Sequence, residues 1–254
     1  MSKPSRNREI ARAKVAEMRA REARQARQRR LFTGIGAAVL AIVAAVAIVF
    51  AVKGGKSGTT GSHPVLKLGP LSTLGNLRPA PSPGANGFEG VPIPDGTPLA
   101  GTSSAATGRA VDGIRCQTSE QLALHIHSHL VIFVNGAQRQ VPAGVGIPGS
   151  RVVNSAAQGE TCLYWLHTHA SDGIIHVEAP RHRAFTLGDF FDEWGQPLGP
   201  SVLGPVSGHV VAIYNGKLYE ANPRDIPLIA HAQIQLEVGK PLIAPESITF
   251  PAGL

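Results

Sequence analysis

Six of the ten histidines in this 254-residue chain fall in two short stretches whose spacing suits metal binding. The later stretch carries His167, His169, His176 and Glu178. Its residues predict two short strands joined by a loop at 170–173, which contains an Asp-Gly turn signal. This loop places His167 opposite His176. Directly opposed side chains have Cβ atoms about 5 Å apart, so the two imidazoles can reach one metal ion.

The earlier stretch has a histidine at every second position, at 125, 127 and 129. On a strand the three imidazoles share one face, while Ile126 and Ser128 point to the other. Unpaired imidazoles are costly to bury, and a divalent transition metal removes that cost. We therefore expect zinc or copper to be held by a subset of the six histidines. The predicted metal ligands are His125, His127, His129, His167, His169 and His176.

These histidines are compatible with three kinds of function. A saturated site would be a binding module for metal storage, delivery or structure. An open coordination position would instead suit a metal-dependent hydrolase or hydratase-like enzyme, with Glu178 or Asp172 as the candidate catalytic base. The third alternative is an interaction domain without metal, held near the membrane. If the histidines do not bind metal, they would form a surface patch that could sense pH. Imidazole suits several transition metals alike, so the sequence does not select one.

The strands that would position these residues recur over 111–254, a length sufficient for one domain with a hydrophobic core. Hairpins are predicted around Asn135-Gly136 and Asn215-Gly216, and residues 232–238 alternate as a half-buried strand. The expected class is a mainly antiparallel β domain, with α+β as the alternative.

One short helix interrupts the strand patterns. Thr186 is predicted as its N-cap, with Asp189 at the capping-box position, and Gly195 as its C-terminal stop. Phe190 and Trp194 contribute to its apolar face, which we expect to pack in the core.

The net charge of +7 is concentrated at the start of the chain. Residues 1–30 carry a charge of +8, and the other 224 residues carry −1. Residues 31–52 follow as 22 uncharged, mostly apolar residues, which is long enough for a helix to span the lipid bilayer. We therefore expect 1–30 to be a basic cytoplasmic segment and 31–52 to be a single transmembrane helix. A cleaved signal peptide is the alternative.

This topology assigns the protein to the plasma (inner) membrane, with its C-terminal domain outside the cytoplasm. The basic arm could in principle bind nucleic acid, but the apolar run beside it favours contact with anionic lipid, so we expect no nucleic-acid partner. Residues 53–110 are rich in Gly and Pro, and this composition predicts a flexible linker to the His-rich β domain at 111–254.

The two cysteines, Cys116 and Cys162, would both lie outside the cytoplasm in this topology. An even number of cysteines in an oxidising compartment favours a disulfide. It would join the segment before one histidine strand to the start of the other. The alternative is a pair of thiolate ligands, which would favour Cu(I).

Two motifs resemble those of a family of single-pass, membrane-anchored bacterial extracytoplasmic proteins whose activity is uncharacterised. They are His-Ile-His-Ser-His at 125–129 and Leu-His-Thr-His followed by Gly-Ile-Ile-His-Val-Glu at 166–178. The resemblance implies an anchored, His-rich domain and no particular activity. The family form has Asp directly after His-Thr-His, where this chain has Ala170.

Overall fold

The computed structural model describes residues 66–102 and 107–254, which fall within one compact unit from Pro64 to Leu254. The predicted cytoplasmic segment at 1–30 and transmembrane helix at 31–52 lie outside these ranges. Within them, no helix combines the length and the apolar character needed to cross a membrane.

The described residues form mostly short strands, one α-helix, α1 (Leu187–Trp194), and two 3-10 helices at Leu71–Leu74 and Pro223–Asp225. The strands in chain order are β1 (Leu68–Gly69), β2 (Cys116–Gln117), β3 (Leu124–Val134), β4 (Ala137–Arg139), β5 (Arg151–Val153), β6 (Ala156–Gln158), β7 (Leu163–Tyr164), β8 (Leu166–His167), β9 (Ile174–Ala179), β10 (Leu198–Gly199), β11 (Val202–Leu203), β12 (Val206–Ser207), β13 (Val210–Tyr214), β14 (Lys217–Tyr219) and β15 (Ala232–Val238).

The main sheet has eight strands. Seven lie in the order β1-β14-β13-β15-β3-β9-β8, and β4 pairs with β3 as a hairpin. All of these pairs are antiparallel except β15 with β3, which is parallel. The expected mainly antiparallel β class with one short helix is confirmed, and the parallel pair is a feature that the sequence patterns did not predict.

Both predicted Asn-Gly hairpins are present. Asn135 and Gly136 join β3 to β4 with φ angles of 52° and 74°, and Asn215 and Gly216 join β13 to β14 with φ angles of 48° and 75°. Positive φ at both central residues matches the twist of paired strands, and Asn and Gly tolerate it best. These turns fix the register of the hairpins.

The two faces of the sheet differ in chemistry. Alternate residues of β3, such as Leu130 and Ile132, pack into the main hydrophobic core together with Phe190 and Trp194 of α1. The opposite face carries the histidines of β3 and continues into a small apolar cluster of Val131, Phe133 and Ile243. The histidines therefore lie on the side of the sheet that faces away from the main core.

The helix α1 has the predicted ends. The Thr186 hydroxyl accepts a hydrogen bond from the Asp189 backbone, the Asp189 carboxylate accepts one from the Thr186 backbone, and Gly195 adopts the left-handed conformation. The caps satisfy backbone groups that a helix of only eight residues would otherwise leave unpaired.

The structure differs from the sequence prediction in the segment 66–102, which lies within the predicted flexible linker at 53–110. Strand β1 pairs with β14, the Leu99 backbone donates a hydrogen bond to Gln140, and Val91 is fully buried. The composition of this segment suggested that it buries too little apolar surface to become ordered. Its prolines, however, restrict the unfolded chain and so lower the entropic cost of docking the segment on the sheet. This segment belongs to the β domain.

The predicted disulfide between Cys116 and Cys162 is confirmed. Cys116 begins β2, which pairs with β7 directly after Cys162. The bond therefore joins the segment that precedes β3 to the start of the strands that carry His167 and His176, as the sequence predicted.

Candidate metal centre

Three neighbouring strands bring three imidazoles into one row. His127 on β3 lies opposite His176 on β9, and His167 on β8 lies opposite His176 from the other side. The predicted pairing of His167 with His176 is confirmed, although the strands end earlier than expected and the loop spans 168–173. His125 lies two residues before His127 on the same face of β3, and it is opposite Glu178 on β9.

The first donor set lies between β3 and β9. Its members are His125, His127, His176 and Glu178, whose ligand atoms all lie within 4.8 Å of one another. The Nε2 atom of His127 is 3.1 Å from Nδ1 of His176. Oε1 of Glu178 is 3.4 Å from the same Nδ1 and 3.3 Å from Nε2 of His125. Four donor atoms of this set therefore surround one small volume.

The second donor set lies between β9 and β8. It comprises His167, His169, His176 and Glu178, again within 4.8 Å of one another. The Nε2 atoms of His167 and His169 are 3.1 Å apart, and Nε2 of His167 is 3.9 Å from Oε1 of Glu178. His176 and Glu178 are thus common to both sets.

These separations fit the shell of a bound ion. Four ligands held tetrahedrally at about 2.0–2.1 Å lie about 3.3 Å from each other. In the first set, Nδ1 of His176 lies 3.1 Å from Nε2 of His127 and 3.4 Å from Oε1 of Glu178. In addition, Oε2 of Glu178 is buried without a hydrogen-bond partner among the described residues, although a carboxylate of this kind normally has several. A cation would supply the missing partner.

The imidazoles are poised to act as ligands because most of them are neutral. Burial, followed by the positive charge of His176, lowers the pKa of His127 to about 3. Burial and His176 likewise lower the pKa of His167 to about 3 and shift that of His169 downward. A neutral imidazole keeps a lone pair at physiological pH, which metal binding requires.

His176 and Glu178 form the charged centre of the cluster. Burial lowers the pKa of His176, but hydrogen bonds to Glu178 and Glu89 outweigh burial and raise it to about 9. Burial raises the pKa of Glu178, but hydrogen bonds from His125 and His176 outweigh this effect and hold the pKa well below its usual range. Without metal, an imidazolium therefore neutralises the carboxylate, and an ion that binds here must displace that proton.

Two predicted site residues lie outside both donor sets. His129 is buried, and its Nε2 donates a hydrogen bond to the carbonyl of Asp172 at 3.1 Å. The Asp172 side chain accepts a hydrogen bond from the Ile174 backbone, and burial, followed by the charge of Glu89, raises its pKa to about 7. Of the six histidines predicted to supply the ligands in some subset, His129 is therefore the one that lies outside both donor sets, because β3 extends past the end of β8 at this position.

Glu89 is a contributor that the sequence analysis missed. Its Oε1 accepts a hydrogen bond from Nε2 of His176 at 2.7 Å, and its side chain is only 6% exposed. Glu89 lies in a turn closed by a hydrogen bond from Gly87 to Val91. It is the only acidic residue between 31 and 94, a weak signal that could have drawn attention to it.

A cavity of about 720 Å³ opens in front of the donor atoms. Both donor sets contribute to its lining, through His125 and His127 from the first and His169 from the second, and Glu120 and Glu160 line it as well. Among the described residues that line it there is no Lys or Arg. The cavity therefore gives access from solvent and has an acidic character.

The centre is thus a group of buried histidines with one shared glutamate that can hold a metal ion. A carboxylate from a distant turn orients one of the histidines. No protein-family model, curated protein or solved structure matches this chain, so the donor atoms themselves are the basis for assigning a function.

Proposed function

We propose that this protein is a metal-binding protein whose β domain holds a divalent transition ion, zinc or copper. The observation that carries the proposal is the first donor set, in which buried Nδ1 of His176 lies 3.1 Å from Nε2 of His127 and 3.4 Å from Oε1 of Glu178. Without an ion, Oε2 of Glu178 is buried with no hydrogen-bond partner among the described residues, and an unpaired buried polar atom is costly in free energy. Zinc and copper are the ions that imidazole-rich sites favour.

The cavity supports binding and exchange of the cation. Two carboxylates that line it, Glu120 and Glu160, attract cations and repel anions. An acidic cavity suits a centre for storage or delivery of the metal, because it attracts the cation. An enzyme acting on an anionic substrate would instead need a positive charge in the cavity.

A second candidate is a metal-dependent hydrolase or hydratase-like enzyme. The cavity favours it, because a space of about 720 Å³ beside the donors could admit a substrate. Glu178, which lines the cavity, would then serve as a ligand or as the base, whereas Asp172 is fully buried with a raised pKa and does not line the cavity. Exchange of a metal-bound water for a small anion would show an open coordination position and support the enzyme. A coordination shell fully occupied by protein ligands would support the binding module.

We also propose that residues 31–52 anchor the domain in the membrane, with 1–30 in the cytoplasm and the β domain outside. The basic arm, the uncharged run and the motif resemblance to single-pass bacterial proteins support this arrangement. A reporter active only in the cytoplasm, fused after Leu254, should remain inactive. Activity of that fusion would reject the topology.

The test of metal binding uses the full chain without a histidine tag. After chelator treatment, resupply with Zn²⁺ or Cu²⁺ and desalting, elemental analysis should find bound metal. At a free metal concentration of about 100 times Kd, binding adds about 2.7 kcal/mol to the free energy of unfolding, so the melting temperature should rise. His176→Ala should lose this rise, whereas His182→Ala, an exposed histidine, should keep it. A chain that retains no metal would instead support the interaction domain.

A further inference from the structure

The donor atoms outnumber the positions around one ion. Five imidazoles and Glu178 belong to the two donor sets, whereas a tetrahedral ion takes four ligands. The two sets lie on opposite sides of β9, because His127 approaches His176 from β3 and His167 approaches it from β8. Strand spacing places β3 and β8 about 10 Å apart.

On the β3 side, one ligand is oriented by a hydrogen bond. Nε2 of His176 donates to the Glu89 carboxylate at 2.7 Å, which leaves Nδ1 as the metal-binding atom. That Nδ1 faces Nε2 of His127 at 3.1 Å. A carboxylate that holds the far nitrogen of a ligating histidine is a common feature of metal sites.

On the β8 side, a different group fixes a second histidine independently. Nδ1 of His167 lies 2.8 Å from the carbonyl oxygen of Tyr164, and a carbonyl can only accept, so Nδ1 carries the proton. The lone pair is therefore on Nε2, which faces Nε2 of His169 at 3.1 Å and Glu178 at 3.9 Å. His167 is fully buried, so the partner of this lone pair is a protein group such as His169 or a bound ion.

Glu178 is placed to serve both sides. Its Oε1 lies 3.4 Å from Nδ1 of His176 and 3.9 Å from Nε2 of His167, and its Oε2 is buried without a partner among the described groups. We propose that the centre holds two metal ions, one on each side of β9, bridged by the Glu178 carboxylate. This inference rests on the proposed function and extends it from one ion to two.

The two positions differ in their protein ligands. The β3-side ion has four, namely His125, His127, His176 and Glu178. The β8-side ion has three, since Nδ1 of His176 serves the other ion, so one position of a tetrahedral shell is left for an external ligand. The β8-side ion is therefore the one open to an external ligand and the one that exchanges faster with free metal.

The experiment measures zinc per chain by elemental analysis, with protein quantified by amino-acid analysis. The chelator-treated full chain, resupplied with Zn²⁺ and desalted, should retain two ions. The double variants H125A/H127A and H167A/H169A should each retain one. The control H182A/H209A, which removes two exposed histidines outside the centre, should retain two.

A second measurement needs no variant. With Cu²⁺ in place of Zn²⁺, two ions that share a carboxylate couple magnetically, so the EPR signal should integrate to well below two spins per chain. One ion in the unmodified chain, with a full single-spin signal, would overturn the two-ion inference and leave the proposed function standing. Retention of no ion would overturn both. If a double variant fails to fold, as judged by its melt in chelator, the zinc count and copper spectrum of the unmodified chain decide the outcome.

Discussion

Glu89 and His176 are 87 residues apart in the chain, yet their side chains form a hydrogen bond of 2.7 Å inside the domain. The contact links the turn at Gly87–Val91 to the central strand of the metal centre. It fixes which nitrogen of His176 faces the other ligands, and it couples docking of the segment 66–102 to the geometry of the site.

Replacing Glu89 should therefore weaken metal binding without removing a ligand. We expect Glu89→Ala to lower zinc affinity about 10- to 100-fold, the usual effect of losing the partner of a ligating histidine. Glu89→Gln should lose less, because its amide oxygen still accepts from Nε2. Titration against a chelator of known affinity measures the change. Glu160→Ala, an exposed carboxylate on the same cavity, is the control, and an equal loss there would indicate a general charge effect.

The histidines of β3 provide a matched pair on one strand face. His127→Ala should lose the metal between β3 and β9, because its Nε2 is 3.1 Å from the proposed ligand atom of His176. His129→Ala should keep the metal content of the unmodified chain. It should nevertheless lower the free energy of unfolding by about 1–3 kcal/mol, since the Asp172 carbonyl loses its buried donor. Loss of metal in both variants would show that His129 is a ligand.

Buried Glu193 in α1 should make stability depend on pH. Burial raises its pKa well above the usual value, and neither carboxyl oxygen has a hydrogen-bond partner among the described residues. The folded state favours the protonated Glu193 carboxyl. Its contribution to the free energy of unfolding is therefore fully present below the pKa of the unfolded state, about 4.3, and is lost as pH rises through the pKa of the folded state. Glu193→Gln should remove this loss.

Urea unfolding with chelator present measures the effect of Glu193. At pH 8 the variant should be more stable than the unmodified chain by on the order of 1 kcal/mol or more, and at pH 5 the difference should shrink. Glu160→Gln, at an exposed position, should change neither value. An unchanged pH dependence in Glu193→Gln would mean that this carboxyl does not titrate with unfolding.

The disulfide should stabilise the domain without binding metal. Replacing both Cys116 and Cys162 by serine should lower the free energy of unfolding by about 4 kcal/mol in the chain-entropy model, given their separation of 46 residues. The zinc content, measured at a temperature where the variant is folded, should not change. Free-thiol labelling of the untreated native protein should be negative. Loss of zinc from the folded variant would instead indicate a role for the cysteines at the centre.

Local sequence alone determined much of the architecture. Alternation along a strand puts every second histidine on one face, and each Asn-Gly pair fixes a hairpin through backbone angles that these residues tolerate. The predicted turn at Asp172-Gly173 placed His167 opposite His176, and the caps at Thr186 and Gly195 determined the helix ends. All of these depend on residues a few positions apart, so their causes are visible in the sequence.

Only the tertiary structure decided which residues meet at the centre. The register of β3 against β9 places His125 opposite Glu178 and His127 opposite His176, and carries His129 beyond the end of β8. The same applies to the parallel pairing of β15 with β3. Register between distant strands depends on packing of the whole core, for which a strand has no local signal. Glu89 reaches His176 because the segment around it docks on the sheet. The Gly- and Pro-rich composition of that segment did not indicate that it would dock.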